Sequence, residues 1–440
     1  MVDIDTLIHA RWVVPVDTEN SVLAHHSVAV HGGRIVATLP TAAAKAQFSA
    51  LNEHELPHHL LIPGLVNCHT HASMSLLRGL ADDMPLMKWL NDHIWPAEAR
   101  WVSEEFVADG ARLAVAEMLR GGISCFNDMY FFPDVVGHVA AAAGMRAVVG
   151  LILIDFPSAW ASGAEDYLQR GLEVHDQFRN SNLIRTAFAP HAPYSVSDAP
   201  LQRIRVLADE LELPIHIHLH ETREEVQQSL SLYGTRPLHR LQQLELLSPA
   251  LMAVHMTQLE EEELHPFAAS GAHVVHCPES NLKLASGFCP VARLLEAGVN
   301  VALGTDGAAS NNDLNMFSEM RTAALLAKGV AKDASALPAY DALRMATLNG
   351  ARALGLEQET GSLEAGKAAD ICAVDLGGLG SQPVYHPVSQ LVYATSRDQV
   401  SDLWIAGRQL LRCGQLTRLD SQKILVRAEE WRSRIAQFDQ

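Results

Sequence analysis

Between residues 61 and 364 the chain alternates short apolar runs with longer segments of helical period, and this alternation recurs eight times. The apolar runs fall at 60–66, 122–127, 146–154, 184–189, 214–219, 251–256, 272–276 and 300–303. The helical patterns between them include 104–120, 167–178, 199–211, 238–247, 260–269 and 314–327. Parallel strands need a crossover to join them, so repeated strand–helix units predict a parallel sheet. Eight such units predict a (β/α)8 barrel of roughly 250–300 residues. An open doubly wound sheet is the structural alternative. In its common nucleotide-binding form it carries a glycine-rich fingerprint after the first strand, and Asn67-Cys68-His69-Thr70-His71 contains none.

The flanks read differently. Residues 6–16 and 27–39 are rich in β-branched and apolar residues, and His31-Gly32-Gly33-Arg34 predicts a hairpin turn. The same texture returns at 369–374 and 402–408. The expectation is an α/β protein in which a small β-sandwich domain, residues 1–60 and 365–440, is assembled from both termini around a barrel at 61–364. The stretch 423–438 has a helical, amphipathic period.

Nearly every predicted barrel strand ends in a residue that can ligate a metal or move a proton. The first ends in His69 and His71, the second in Asp128 and the third in Asp155; the fourth runs into His191, and the fifth into His218, His220 and Glu221. His255 follows the sixth, His276 the seventh and Asp306 the eighth. In a barrel these strand ends share one mouth, so residues far apart in sequence become neighbours. Any one of these histidines alone reads as an ordinary structural residue; their common position does not. Histidine is also abundant, at 22 of 440 residues.

His69 and His71 stand at i and i+2, and on an extended backbone such side chains point the same way. With His218 and Asp306 they offer three imidazoles and a carboxylate, a donor set that suits one divalent ion with a position open for water. Zinc and ferrous iron both accept such a set, with zinc the first expectation. The ion lowers the pKa of its water toward 7. Glu221, just past the ligand strand, is the candidate proton shuttle, and His255 and Asp306 the candidates for steering the nucleophile.

Longer motifs carry a resemblance. Pro63-Gly64-Leu65-Val66-Asn67-Cys68-His69-Thr70-His71, Leu77-Arg78-Gly79-Leu80-Ala81-Asp82-Asp83-Met84-Pro85-Leu86 and Trp95-Pro96-Ala97-Glu98 are three of them. His191-Ala192-Pro193-Tyr194-Ser195, His218-Leu219-His220-Glu221-Thr222, Cys277-Pro278-Glu279-Ser280-Asn281-Leu282-Lys283-Leu284 and Gly304-Thr305-Asp306-Gly307 complete the set. Over essentially its full length the chain resembles the amidohydrolase superfamily, in the branch of 5'-methylthioadenosine/S-adenosylhomocysteine deaminases and related triazine hydrolases.

That resemblance implies hydrolytic deamination of an adenosine-type nucleoside to its inosine analogue and ammonia. 5'-Methylthioadenosine is the first expectation, with S-adenosylhomocysteine and 5'-deoxyadenosine beside it. It implies that Glu98 binds the ribose hydroxyls, although a glutamate after Trp95-Pro96 also reads as an ordinary helix start. It places His191 against the purine and gives the fifth-strand ligand to His218, leaving His216 and His220 to packing or outer-sphere roles. The 184–192 stretch lacks the lysine that bridges two metals in binuclear relatives, which favours a single ion.

The loop 155–163 carries no arginine to clamp an amino-acid tail, which favours the compact methylthio substrate. Trp160 in that loop reads either as a wall for an apolar 5'-substituent or as loop packing. Alternatives of the same chemistry are guanine, another aminopurine or an s-triazine. An alternative of another class is a catalytically silent assembly protein, which the intact ligand set disfavours.

The net charge of -18 argues against nucleic acid or an anionic membrane as partner. The six cysteines form no C-x-x-C pair, and the first residues lack a basic and an apolar signal region. A cytoplasmic enzyme is expected, with the resemblance implying a homo-oligomer, dimer or tetramer.

Overall fold

The computed structural model describes residues 1–436. Its centre is a parallel sheet of eight consecutive strands: β5 (Leu65–Thr70), β6 (Ile123–Asp128), β7 (Arg146–Leu153), β8 (Ile184–Pro190), β9 (Ile215–Leu219), β10 (Leu251–His255), β11 (His273–His276) and β12 (Asn300–Leu303). Their spatial order is their chain order, the arrangement of a singly wound barrel rather than of a doubly wound open sheet. The last strand returns to the first: the Asp306 N–H donates to the His69 carbonyl at 2.9 Å, and the Thr305 N–H to Asn67 Oδ1 at 3.0 Å. The sheet is therefore a barrel. Its strands are near-continuous apolar runs because helices cover the outside and side chains fill the inside; every residue of β7 is buried.

A second, mixed sheet gathers both termini. From the N-terminal side it takes β1 (Val2–Val13), β2 (Leu23–His31), β3 (Arg34–Pro40) and β4 (Phe48–Pro63). From the C-terminal side come β13 (Ile371–Asp375), β14 (Val400–Ile405), β15 (Arg408–Arg412) and β16 (Gln415–Leu416). Their order is β16-β15-β14-β13-β4-β1-β2-β3. The seam is β4 against β13, where Leu61 opposes Ala373 and Pro63 opposes Ile371.

One predicted strand divides in two. The run 60–66 reads as a single strand, but residues 60–63 complete β4 of the terminal sheet and β5 of the barrel begins at Leu65. Apolarity cannot mark this change, because both halves are fully buried. Gly64 makes it: its N–H donates to the Asp370 carbonyl at 2.9 Å, and a Cβ there would stand 2.3 Å from Ser124 Oγ.

The predicted 423–438 helix is observed as Ser421–Ala436, with residues 437 and 438 outside the described residues. It docks on the barrel helix Glu104–Arg120, where Asp109 accepts from Trp431 Nε1 at 3.0 Å and from Arg427 at 2.7 Å. Among the described residues no helix is long and apolar enough to cross a membrane.

Candidate metal centre

The barrel delivers the strand-end histidines to one rim, and their ring atoms converge. Nε2 of His69 and Nε2 of His71 each lie 3.2 Å from the same oxygen, Oδ1 of Asp306. Nε2 of His218 is 3.1 Å from Nε2 of His69. One ligand atom from each of His69, His71 and His218 lies within 4.8 Å of the others, and the same holds for His69, His255 and Asp306.

The rings are aimed by what holds their far sides. Nδ1 of His71 donates to the Met129 carbonyl at 2.6 Å, and Nδ1 of His218 to the His191 carbonyl at 2.8 Å. Both Nε2 lone pairs are thereby left facing inward, the arrangement a metal-ligating histidine needs. His69 is braced from behind by His216, whose Nε2 is 2.9 Å from its Nδ1. Asp306 is held more tightly still. Its Oδ2 accepts from Ser280 Oγ at 2.6 Å and Ser310 Oγ at 2.8 Å, and its Oδ1 accepts the Gly307 N–H at 2.7 Å.

Backbone strain collects at the same rim. Asp306 has φ +62° and His255 φ +76°, left-handed values that cost a non-glycine residue about 1–3 kcal/mol each. Such strain persists only where surrounding bonds over-determine the conformation. Gly304 is needed for a related reason, since a Cβ there would fall 2.8 Å from both N and Cβ of His69. Gly304→Ala is therefore expected to displace His69 and lower kcat/KM by roughly 100-fold. Steady-state kinetics beside a metal titration check this; unchanged values for both would count against the packing argument.

The charges are arranged for a cation. Burial holds His69 down to about 4 against the pull of Asp306. Burial acts the same way on His71, but the hydrogen bond and charge of Asp306 outweigh it and raise that ring to about 9. Asp306 is the converse: burial opposes its ionisation, and the two paired imidazoles still hold it well below the usual carboxylate range. A divalent cation can take the place of the proton His71 would otherwise carry, and three imidazoles with one carboxylate suit such an ion.

A cavity of about 480 Å³ opens over this cluster. Its polar wall carries His71, His191, His218, Glu221, His255, Asp306 and Ser310. Much of its apolar lining comes from the segment after β5, with Leu86, Trp89, Leu90, Ile94 and Trp95, and the same segment contributes the carboxylate of Glu98. Burial pushes Glu98 up to about 7, with Tyr130 and the His71 charge pulling the other way. Glu221 is also raised by burial, and its Oε1 lies 3.8 Å from Nε2 of His255. His255 is oriented by Asn281, whose Oδ1 is 2.8 Å from its Nδ1. His191 is held by Ser195 Oγ at 2.9 Å, and burial lowers it to about 3.

Of the site residues named from the sequence, Trp160 alone does not line this cavity or its metal cluster. The Ser158 hydroxyl accepts the N–H groups of Trp160 and Ala161, at 3.0 and 3.4 Å, and turns the loop inward. The Trp160 ring is buried 5.6 Å from Tyr167, so Phe156, Pro157, Ser158 and Ala159 form the wall instead. Other strand-end residues serve the scaffold. Asp128 accepts the Ala72 N–H at 2.7 Å, Asp155 accepts the Ser197 N–H at 2.9 Å, and His220 faces Gln258 and Leu238.

Asn281, Ser280, Ser310 and Tyr130 went unassigned from the sequence. The first two lie inside the Cys277–Leu284 motif, but nothing in their residue type says which ring or carboxylate they face.

A family model, Amidohydrolase family, matches residues 60–410. Over 432 residues the chain is 51% identical to the 5-methylthioadenosine/S-adenosylhomocysteine deaminase of Teredinibacter turnerae, covering 98% of each chain. The crystal structure of a zinc-bound adenosine deaminase from Xanthomonas campestris is 56% identical and superposes with a TM-score of 0.98, covering 99% of each chain. The zinc-complexed atrazine chlorohydrolase of Arthrobacter aurescens, 23% identical, shares the fold with a TM-score of 0.91 over 97% of this chain and 99% of its own.

Proposed function

Because the chain belongs to the amidohydrolase family, we propose that it is an aminohydrolase that deaminates adenosine-type nucleosides, 5'-methylthioadenosine first among them. One observation carries this reading: four candidate ligand groups cluster beside one cavity that is also lined by the buried Glu221 and by Glu98. Held by His69, His71, His218 and Asp306, a single divalent ion, zinc in this reading, supplies a water acidic enough to attack at neutral pH.

The chain's own residues do the rest. Glu221, raised toward its protonated form by burial, donates to the ring nitrogen beside the carbon under attack. Now ionised, it takes the proton of the hydroxyl that has added to the carbon and passes it to the departing amine. Nε2 of His255, left as an acceptor because Nδ1 donates to Asn281 Oδ1, takes a hydrogen bond from the attacking water and holds it for attack. Asp306 keeps the attacking water in line. One water is consumed, the exocyclic C–N bond breaks, ammonia leaves and a ring carbonyl remains. His191 contacts the purine, and Glu98 accepts hydrogen bonds from the two ribose hydroxyls, as a carboxylate with two oxygens can. The apolar wall covers the ring and the 5'-substituent. A homo-oligomer in the cytoplasm is part of the same reading.

Purified protein loaded with zinc should convert 5'-methylthioadenosine with loss of the adenine absorbance band. Guanine and s-triazines in the same panel should be turned over far more slowly; no loss of the band with metal bound would end the proposal. Glu98→Gln should raise KM for ribosides by about 10-fold while leaving activity on the free base unchanged, because a lost charged hydrogen bond costs about 1.5–3 kcal/mol. S-Adenosylhomocysteine should show a kcat/KM at least about 10-fold below the methylthio compound. Among the described residues no lysine or arginine lines the cavity to meet its carboxylate.

A further inference from the structure

Glu225 has no part in the chemistry above, yet it is a carboxylate with 4% exposure directly behind Glu221. Its Oε1 accepts the His220 N–H at 3.0 Å and its Oε2 accepts the Glu221 N–H at 2.7 Å; the Thr222 amide faces it as well. Three successive amides can address one carboxyl because His220 sits at φ +52°. A left-handed residue turns consecutive N–H groups to one side and makes a concave anion cradle.

The cradle is rigid at both ends. The His220 ring is anchored by the Leu238 N–H at Nε2, 3.1 Å away, and lies 3.1 Å from the Gln258 carbonyl at Nδ1. Glu225 itself belongs to the first turn of the helix Arg223–Tyr233, capped by Thr222 Oγ1, which accepts the Glu225 N–H at 3.2 Å. In an ordinary capping box the third helical residue reaches back only to the cap amide. Here it reaches past the cap to the two residues before it, one of which is the proton shuttle. On the other side Thr257 Oγ1 donates to the Glu221 carbonyl at 2.7 Å. The Glu221 backbone is thus pinned at both its N–H and its C=O.

We propose that Glu225 is a positioning residue for the deamination: its carboxyl fixes the 220–222 backbone so that the Glu221 side chain is presented to the substrate beside His255. The inference rests on the proton-transfer role of Glu221 proposed above.

The test compares Glu225→Gln, Glu225→Asp, Thr222→Ala and Glu221→Gln in the full-length zinc enzyme with 5'-methylthioadenosine, reading kcat, KM, bound zinc and the thermal midpoint. Glu225→Gln keeps one acceptor but gives up the two-sided grip. It should lose roughly 10- to 100-fold in kcat, with KM within threefold and zinc content unchanged. Glu225→Asp keeps the carboxyl group but draws it back by one methylene, and should show the same split, which preserves the test if the glutamine variant does not fold. Thr222→Ala removes the helix cap alone; its thermal midpoint should fall while kcat stays within threefold of the parent.

Near-parental kcat in both Glu225 variants would overturn the proposal, as would an equal kcat loss in Thr222→Ala or a loss that tracks missing zinc. Full activity in Glu221→Gln would instead show that the underlying proton-shuttle assignment is wrong.

Discussion

Asp306→Asn is expected to lower kcat by on the order of 10⁴-fold, about 5.5 kcal/mol of transition-state stabilisation, and to weaken metal binding by at least about 100-fold. The size of the effect follows from how much converges on this carboxylate. Its Oδ1 is 3.2 Å from both His69 and His71, and its Oδ2 takes two serine hydroxyls. An asparagine preserves the shape and removes the charge that two buried imidazoles depend on. Rotated one way it also points an amide N–H at them, and rotated the other way it points one at the hydroxyls. Metal analysis after dialysis, with single-turnover kinetics at saturating zinc, checks the prediction. Full zinc occupancy with parental kcat would show that Asp306 is neither ligand nor steering group.

Glu221→Gln is expected to keep its metal and lose roughly 10³-fold in kcat, within the 10²- to 10⁴-fold range of a positioned general acid–base. The two variants therefore separate by what they leave behind: the first should fail by losing the ion, the second with the ion in place. Geometry supports the distinction, since Glu221 faces His255 at 3.8 Å and lies outside the clustered ligand atoms. KM for 5'-methylthioadenosine should change little, because the residue's main contribution is a proton rather than a fixed contact. A Glu221→Gln enzyme with kcat within threefold of the parent would require another acid, and His191, held down to about 3 by burial, is poorly suited to the role.

Much of the site was legible before folding because a parallel barrel converts a simple sequence rule into proximity. His69 and His71 are two residues apart, whereas His218 and Asp306 lie about 150 and 235 residues further on. Each nonetheless ends or follows a strand, and strand ends meet. The same rule over-counts. Asp128, Asp155, His220 and His276 also sit at or near strand ends, and sequence position cannot say whether a side chain turns into the mouth or back toward a neighbouring loop. Trp160 shows that limit most clearly: its ring packs in the core beside Tyr167 rather than lining the cavity.

The amino-acid sequence by itself determined the architecture and named the His69, His71, His218 and Asp306 side chains that the fold clusters as candidate ligands. Hydrophobic period and strand-end chemistry are local properties, and eight repeats of them leave few closed arrangements. Tertiary structure alone decided which partners aim those residues. The Met129 and His191 carbonyls that set the ligand tautomers, the Asn281 amide on His255 and the Glu225 carboxyl under Glu221 all act through directional bonds. Their partners carry no distinguishing sequence, and a backbone carbonyl becomes a metal-site component only by where the folded chain puts it.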